Sequence, residues 1–151
     1  MGLGIVVLGY IGLLYFGAII VPGVGLSGHL MVLVPVSLLE WAHAPGYGIL
    51  AVLIALGLQR RAWPPAYALP VASAAAFVFG LWTEVFQGSV QGRGASVDDL
   101  VTDAVGIGIA TAMMLAGTVQ NRIALICPPA LILFKDSGAR VGLVSLVRRI
   151  K

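Results

Sequence analysis

The sequence predicts an all-helical, polytopic membrane protein: a bundle of about four transmembrane helices, with a re-entrant or interfacial segment and a short basic amphipathic C-terminal helix. Three observations carry that prediction. Of the 151 residues, 60% are apolar and only 10% charged, whereas a soluble domain is about 45–50% apolar and about 25% charged. The mean hydropathy is +1.03. Apolar stretches of span length, about 20 residues each, with few or no charges, alternate with short polar or Pro/Gly-rich connections. A soluble enzyme is thereby excluded, and residues 1–151 read as a single transmembrane domain.

The first span is expected over Leu3 to Val21, which carries no charge and ends at Pro22 and the glycine-rich turn Gly23 to Gly28. A cleavable leader needs basic residues ahead of its apolar core; only Met1 and Gly2 precede this one, so the stretch reads as a permanent span. Leu30 to Leu58 is apolar except for Glu40, His43 and a Pro45-Gly46 break, which places the second span at Trp41 to Leu58 behind an entry segment. Gln59-Arg60-Arg61-Ala62-Trp63-Pro64-Pro65 is a stop, and Ala66 to Gln87 forms the third span, with Glu84 close to its end. After a polar loop containing Arg93, the fourth span runs from about Asp98 to Thr118 and holds Asp98, Asp99 and Asp103 near its start. Ile123 to Phe134, interrupted by Pro128-Pro129, is too short for a span and reads as interfacial or re-entrant. In the tail, residues 140–151, Leu143, Leu146, Val147 and Ile150 fall at helical spacing opposite Ser145, Arg148 and Arg149, the pattern of a basic helix lying on anionic lipid.

The net charge of +3 does not indicate nucleic-acid binding, because the basic residues form no stripe. They indicate orientation instead. With four spans and a cytoplasmic N-terminus, Arg60, Arg61, Arg122, Lys135, Arg140, Arg148, Arg149 and Lys151 all fall inside, and Arg93 alone faces out. A fifth span would export the five basic residues of the tail together. The expected location is therefore the plasma (inner) membrane, with both termini cytoplasmic. The lone Cys127 has no partner for an intrachain disulfide and reads as a small apolar residue.

The acidic residues sort oppositely. Glu40, Glu84, Asp98, Asp99 and Asp103 fall at or near the outer face, together with His29, His43 and Arg93. Helical spacing puts Glu40 with His43, Glu84 with Gln87, and Asp99 with Asp103, each pair on one face. Gly106 and Ala110 continue the Asp99–Asp103 face inward, and Gly80, Ala76 and Ser73 continue that of Glu84. Small residues permit close helix approach, so the third and fourth spans are expected to pack through these faces and to place the carboxylates inside the bundle. Arg93 is the only fixed positive charge in the layer and has the fork geometry to hold a carboxylate.

Glu84-x-x-Gln87, then Arg93, then Asp99-x-x-x-Asp103-x-x-Gly106, with Glu40-x-x-His43-x-x-x-Tyr47 upstream, resembles the VanZ-like family of small bacterial membrane proteins over roughly Glu40 to Ala110. The family pattern has Asn where Asp103 stands, a second Gly at Ala110, and commonly Asp-Lys at Glu40-Trp41, so this chain carries a more acidic version. The resemblance implies an association with resistance to the lipoglycopeptide teicoplanin and carries no settled biochemical activity.

The candidate ligand-binding residues are accordingly Glu40, His43, Glu84, Gln87, Arg93, Asp99 and Asp103, forming a pocket for a membrane lipid head group, a lipoglycopeptide or a lipid-linked cell-wall precursor, since ionisable residues within a membrane mark ligand or ion paths. Two further readings compete: a polar clasp that only fixes the helices, and a membrane-embedded enzyme or transporter with Glu84 or Asp99 as acid and base. No Gly-x-Ser-x-Gly elbow and no His-Glu-x-x-His motif supports catalysis. Glu40-x-x-His43 is half of a di-iron signature that requires two copies, so neither a metal nor a cofactor is expected. His43 reads as a hydrogen-bonding residue at the outer interface, partnered with Asp99 or Glu84, His29 as a loop residue at the membrane surface, and Trp41, Trp63 and Trp82 as interfacial anchors.

Overall fold

The computed structural model describes residues 2–126, with the side chains of 2–120. Its described residues form five helices: α1 (Gly2–Ile19), α2 (Gly25–Val32), α3 (Val36–Gln59), α4 (Pro65–Gln87) and α5 (Val97–Ile126). Four of these, α1, α3, α4 and α5 over Val97–Gln120, are long and apolar enough to cross a membrane. The chain is a multi-pass membrane protein, and its exposed large side chains, among them Ile5, Leu8, Val78 and Met113, form the lipid-facing coat.

Each boundary has a local cause. Pro64 and Pro65 open α4, where a missing N–H costs nothing and φ is already helical. Pro35 precedes α3 in the same way. α3 differs from the sequence expectation in its start, at Val36 rather than Trp41, and it runs through Pro45-Gly46 without a break. Within a helical bundle in lipid a proline is tolerated when neighbouring groups satisfy the freed backbone. The segment ahead of it is a helix of its own, α2. At the entry to α2, Gly23 (φ 76°) and Gly25 (φ 66°) take left-handed conformations, and a side chain at Gly28 would collide with the Val21 carbonyl. α5 likewise continues past Gln120-Asn121-Arg122 to Ile126, so the connection expected at that point is helical. The rest of the expected interfacial stretch, from 127 to 134, and the basic tail lie outside the described residues.

α3 is the central element and packs against α5, α4 and α1. The α3–α5 contact is the closest: a Cβ at Gly48 would stand 2.9 Å from the Gly106 carbonyl oxygen, and a Cβ at Gly106 would overlap the Ala44 carbonyl. The Gly106–Ala110 stripe therefore meets α3 rather than α4, a correction to the expected pairing. The other small face does behave as expected: α4 meets α5 through Ser73, whose hydroxyl lies 2.8 Å from that of Thr111, and through Gly80, which makes room for Asp103. Between these contacts Tyr47, Leu50, Ala51, Ala76 and Ile107 form the core. α1 is tied on by the Tyr10 hydroxyl, which donates to the Gly46 carbonyl at 3.0 Å, and by Tyr15, stacked on Trp82 at 5.4 Å. That stacking gives Trp82 a packing role beyond an interfacial anchor.

Candidate functional site

The polar side chains meet at the end of the bundle that carries the α4–α5 loop. Their convergence follows from three helix termini. The last turn of α4 supplies Glu84 and Gln87, the first two turns of α5 supply Asp99 and Asp103, and the second turn of α3 supplies His43. Ser96 sets the register between α4 and α5. Its N–H donates to Glu84 Oε1, and its hydroxyl accepts the N–H of Asp99 at 3.3 Å, in the manner of an N-cap serine. The motif Ser96-x-x-Asp99 is a capping signature, so Ser96 was open to detection from spacing alone.

His43 Nδ1 lies 3.2 Å from Asp103 Oδ1. Asp103 is 1% exposed and acceptor-only as a carboxylate, so Nδ1 carries the proton and donates. The sequence suggested Asp99 or Glu84 as the partner of His43; the partner is Asp103, because Gly80 on α4 leaves the volume into which its carboxylate fits. Below this pair, the hydroxyls of Tyr47 and Thr83 are 2.5 Å apart. Thr83 donates its single proton to backbone at Gly80 or Phe79, so Tyr47 donates to Thr83. Thr83 was missed in the sequence because an isolated threonine in an apolar helix gives no signal.

Glu84 and Gln87 are buried, 3% and 4% exposed. Arg93 grips no carboxylate among the described residues: its Nη1 donates to the Gly17 carbonyl at 2.9 Å, pinning the loop to the end of α1. Burial pushes the guanidinium below its ordinary range, and nearby Glu84 and Asp99 oppose that shift. The group remains a cation. Glu40 is exposed and stands at the cavity edge. His29 belongs to α2 rather than to a loop, and its Nδ1–H donates to the Gly25 carbonyl at 2.6 Å.

Two cavities open on this cluster. One, of about 500 Å³, is bordered by Glu40, His43, Gln87, Arg93, Ser96 and Asp99. The other, of about 380 Å³, is bordered mainly by apolar residues of α1, α2 and α3, including Leu14, Ala18, Leu30 and Leu39. Both include Met31, Val34, Leu39, His43, Gln87 and Arg93 in their walls, so a polar chamber is continuous with an apolar one. The structure thus brings all seven sequence-derived candidates to one end of the bundle: five border the polar cavity, Glu84 meets its Ser96 wall, and Asp103 supports His43. The share of α1 and α2 in the site was not visible in the sequence, since their contribution is apolar side chains and one backbone carbonyl.

The chain matches no protein-family model, and comparison with curated proteins and with solved structures likewise finds no match.

Proposed function

We propose that the chain is a VanZ-like protein of the bacterial plasma membrane that binds the polar part of an amphiphilic envelope ligand, a lipid head group or a lipoglycopeptide, at an extracytoplasmic pocket. Both termini lie in the cytoplasm in this reading, and ligand capture alters susceptibility to glycopeptides such as teicoplanin. The observation that carries it is the junction of a polar and an apolar cavity at His43, Gln87 and Arg93. Ligand sites typically pair an apolar wall with a few convergent polar groups, and an amphiphile requires both at once. Arg93 would face the anionic group of the ligand, the Gln87 amide would supply a donor and an acceptor, and Glu40 and Asp99 would take hydroxyl or amine donors.

The test is a thermal shift of the purified chain in detergent with teicoplanin and with short-chain phosphatidylethanolamine. The expected result is a rise in Tm that Arg93→Ala and Gln87→Ala both abolish, with the added compound recovered intact. No shift with either compound, or a shift that survives both substitutions, would overturn the proposal. The second reading, an enzyme or transporter acting on a lipid-linked substrate or protons with Glu84 and Asp99 as acid and base, draws on the proximity of these carboxylates to the His43–Asp103 pair. It predicts conversion of a lipid-linked substrate, visible by mass spectrometry and lost in Glu84→Gln.

A further inference from the structure

Beyond head-group binding, and independently of it, we propose that His43, Glu84 and Asp99 form a binding site for a divalent first-row transition cation of the Mn2+ or Zn2+ type. One donor atom from each residue lies within 4.8 Å of the other two. The three side chains come from three different membrane-spanning helices, α3, α4 and α5. Metal–ligand bonds of about 2.0–2.2 Å place donor atoms about 3.4 Å apart in a tetrahedral set, so rotamer adjustments of about an ångström close the site.

The surroundings are those of a metal site rather than of a chance meeting of charges. A ligating histidine characteristically donates its second ring N–H to a carboxylate. His43 does so through Nδ1 to buried Asp103, which leaves Nε2 for a ligand. Glu84 is oriented by the Ser96 N–H on one oxygen, leaving the other free. Gln87, 4% exposed, borders both cavities beside this cluster. A cation with three protein ligands keeps an open position for water or an exogenous oxygen, and the Gln87 amide offers such a group a donor and an acceptor.

Charge balance supports a cation as well. Three carboxylates, Glu84, Asp99 and Asp103, gather around one imidazole, and the one guanidinium near them, that of Arg93, which also bonds the Gly17 carbonyl, leaves the cluster short of positive charge. The donor set of one imidazole and two carboxylates, without thiolate, suits manganese, zinc or iron(II), and its nitrogen disfavours magnesium and calcium. The sequence expectation of no metal followed from testing Glu40-x-x-His43 alone; the carboxylates that join His43 lie about 40 and 55 residues further along the chain, on other helices.

The experiment uses the untagged full chain, stripped with EDTA in detergent and titrated with Mn2+ alone under electron paramagnetic resonance. The expected result is one bound ion per chain, nitrogen hyperfine coupling from imidazole in the pulsed spectrum, displacement by Zn2+ and no displacement by equimolar Mg2+. Glu84→Gln and Asp99→Asn should each weaken binding by at least about tenfold, and Asp103→Asn, acting through His43, by about 10- to 100-fold. His29→Ala and Asp98→Asn should bind as the unaltered chain does. Failure of the unaltered chain to retain Mn2+ overturns the proposal. So does binding without nitrogen coupling, or binding that both Glu84→Gln and Asp99→Asn leave intact. Should Glu84→Gln fail to fold, the spectrum of the unaltered chain and the half-buried Asp99→Asn variant decide the matter.

Discussion

The His43 imidazole on α3 and the Asp103 carboxylate on α5 meet at 3.2 Å, in a space that exists because residue 80 on α4 is glycine. A buried charge whose partner is removed is strongly destabilising, by about 3–5 kcal/mol, whereas removing both charges together is often close to neutral. His43→Ala should therefore lower stability severely, and adding Asp103→Asn to it should recover a large part of the loss. Unfolding of the single and double variants in mixed micelles measures this directly. If the second substitution deepens the loss instead, Asp103 is held by something other than its histidine.

Two glycines distinguish a yielding neighbour from a rigid one. A Cβ at Gly80 would lie 2.7 Å from Asp103 Oδ2, a side-chain atom that can swing away, whereas a Cβ at Gly106 would enter the backbone carbonyl of Ala44. Gly80→Ala should cost about 1–3 kcal/mol, the usual range for overpacking, and should also disturb the His43–Asp103 bond. Gly106→Ala should cost more, because α3 and α5 must separate to accept it. A melting series in which Gly80→Ala ranks as the worse of the two would contradict the assigned helix contact.

The spans read from composition and those observed differ in an instructive way. Leu3 to Val21 and Ala66 to Gln87 correspond closely to α1 and α4, because an apolar run bounded by proline or glycine, charged only at Glu84 near the end of the second, fixes its limits. α3 was started late, at Trp41 rather than Val36, because Glu40, His43 and Pro45-Gly46 interrupt the apolar run when only local sequence is weighed, while in the bundle the helix is held by Gly48 against Gly106 and by Tyr10 on Gly46. Spacing correctly put Asp99 with Asp103 and Glu84 with Gln87, since faces follow from the 3.6-residue period. It could not say which neighbour each face would meet, so the Gly106 stripe was assigned to α4 although it belongs to α3. For the same reason His43 was given the wrong carboxylate.

Arg93 holds the α4–α5 loop to α1 through one bond to the Gly17 carbonyl. A hydrogen bond involving a charged group contributes about 1.5–3 kcal/mol, and no other hydrogen bond between this loop and α1 occurs among the described residues. Arg93→Ala should free the end of α1 near Gly17 and raise amide exchange there, with α3 and α5 unaffected. Arg93→Lys should restore only part of the protection, because an ammonium lacks the planar fork and the reach of a guanidinium. Unchanged exchange at Ile19 and Ile20 in the alanine variant would mean that the apolar contacts of α1, including Tyr15 on Trp82, suffice to hold it.

At the opposite end of the bundle, α3 closes with an alanine where glycine is the usual residue. Ala62 has φ 64°, its N–H donates to the Gln59 carbonyl at 2.9 Å, and the N–H of Trp63 reaches back to the Leu58 carbonyl at 3.2 Å. This is the Schellman arrangement, which needs a left-handed residue at the position of Ala62. An L-residue with a Cβ pays about 1–2 kcal/mol there that glycine does not, offset in part by the greater freedom of glycine in the unfolded chain. Ala62 is exposed, so no packing is lost on substitution. Ala62→Gly should therefore stabilise the protein by a few tenths to about 1 kcal/mol, seen as a higher Tm, while Ala62→Val, with a branched Cβ in the same left-handed conformation, should lower it. Equal melting temperatures for all three would show that the connection between α3 and α4 relaxes out of this turn.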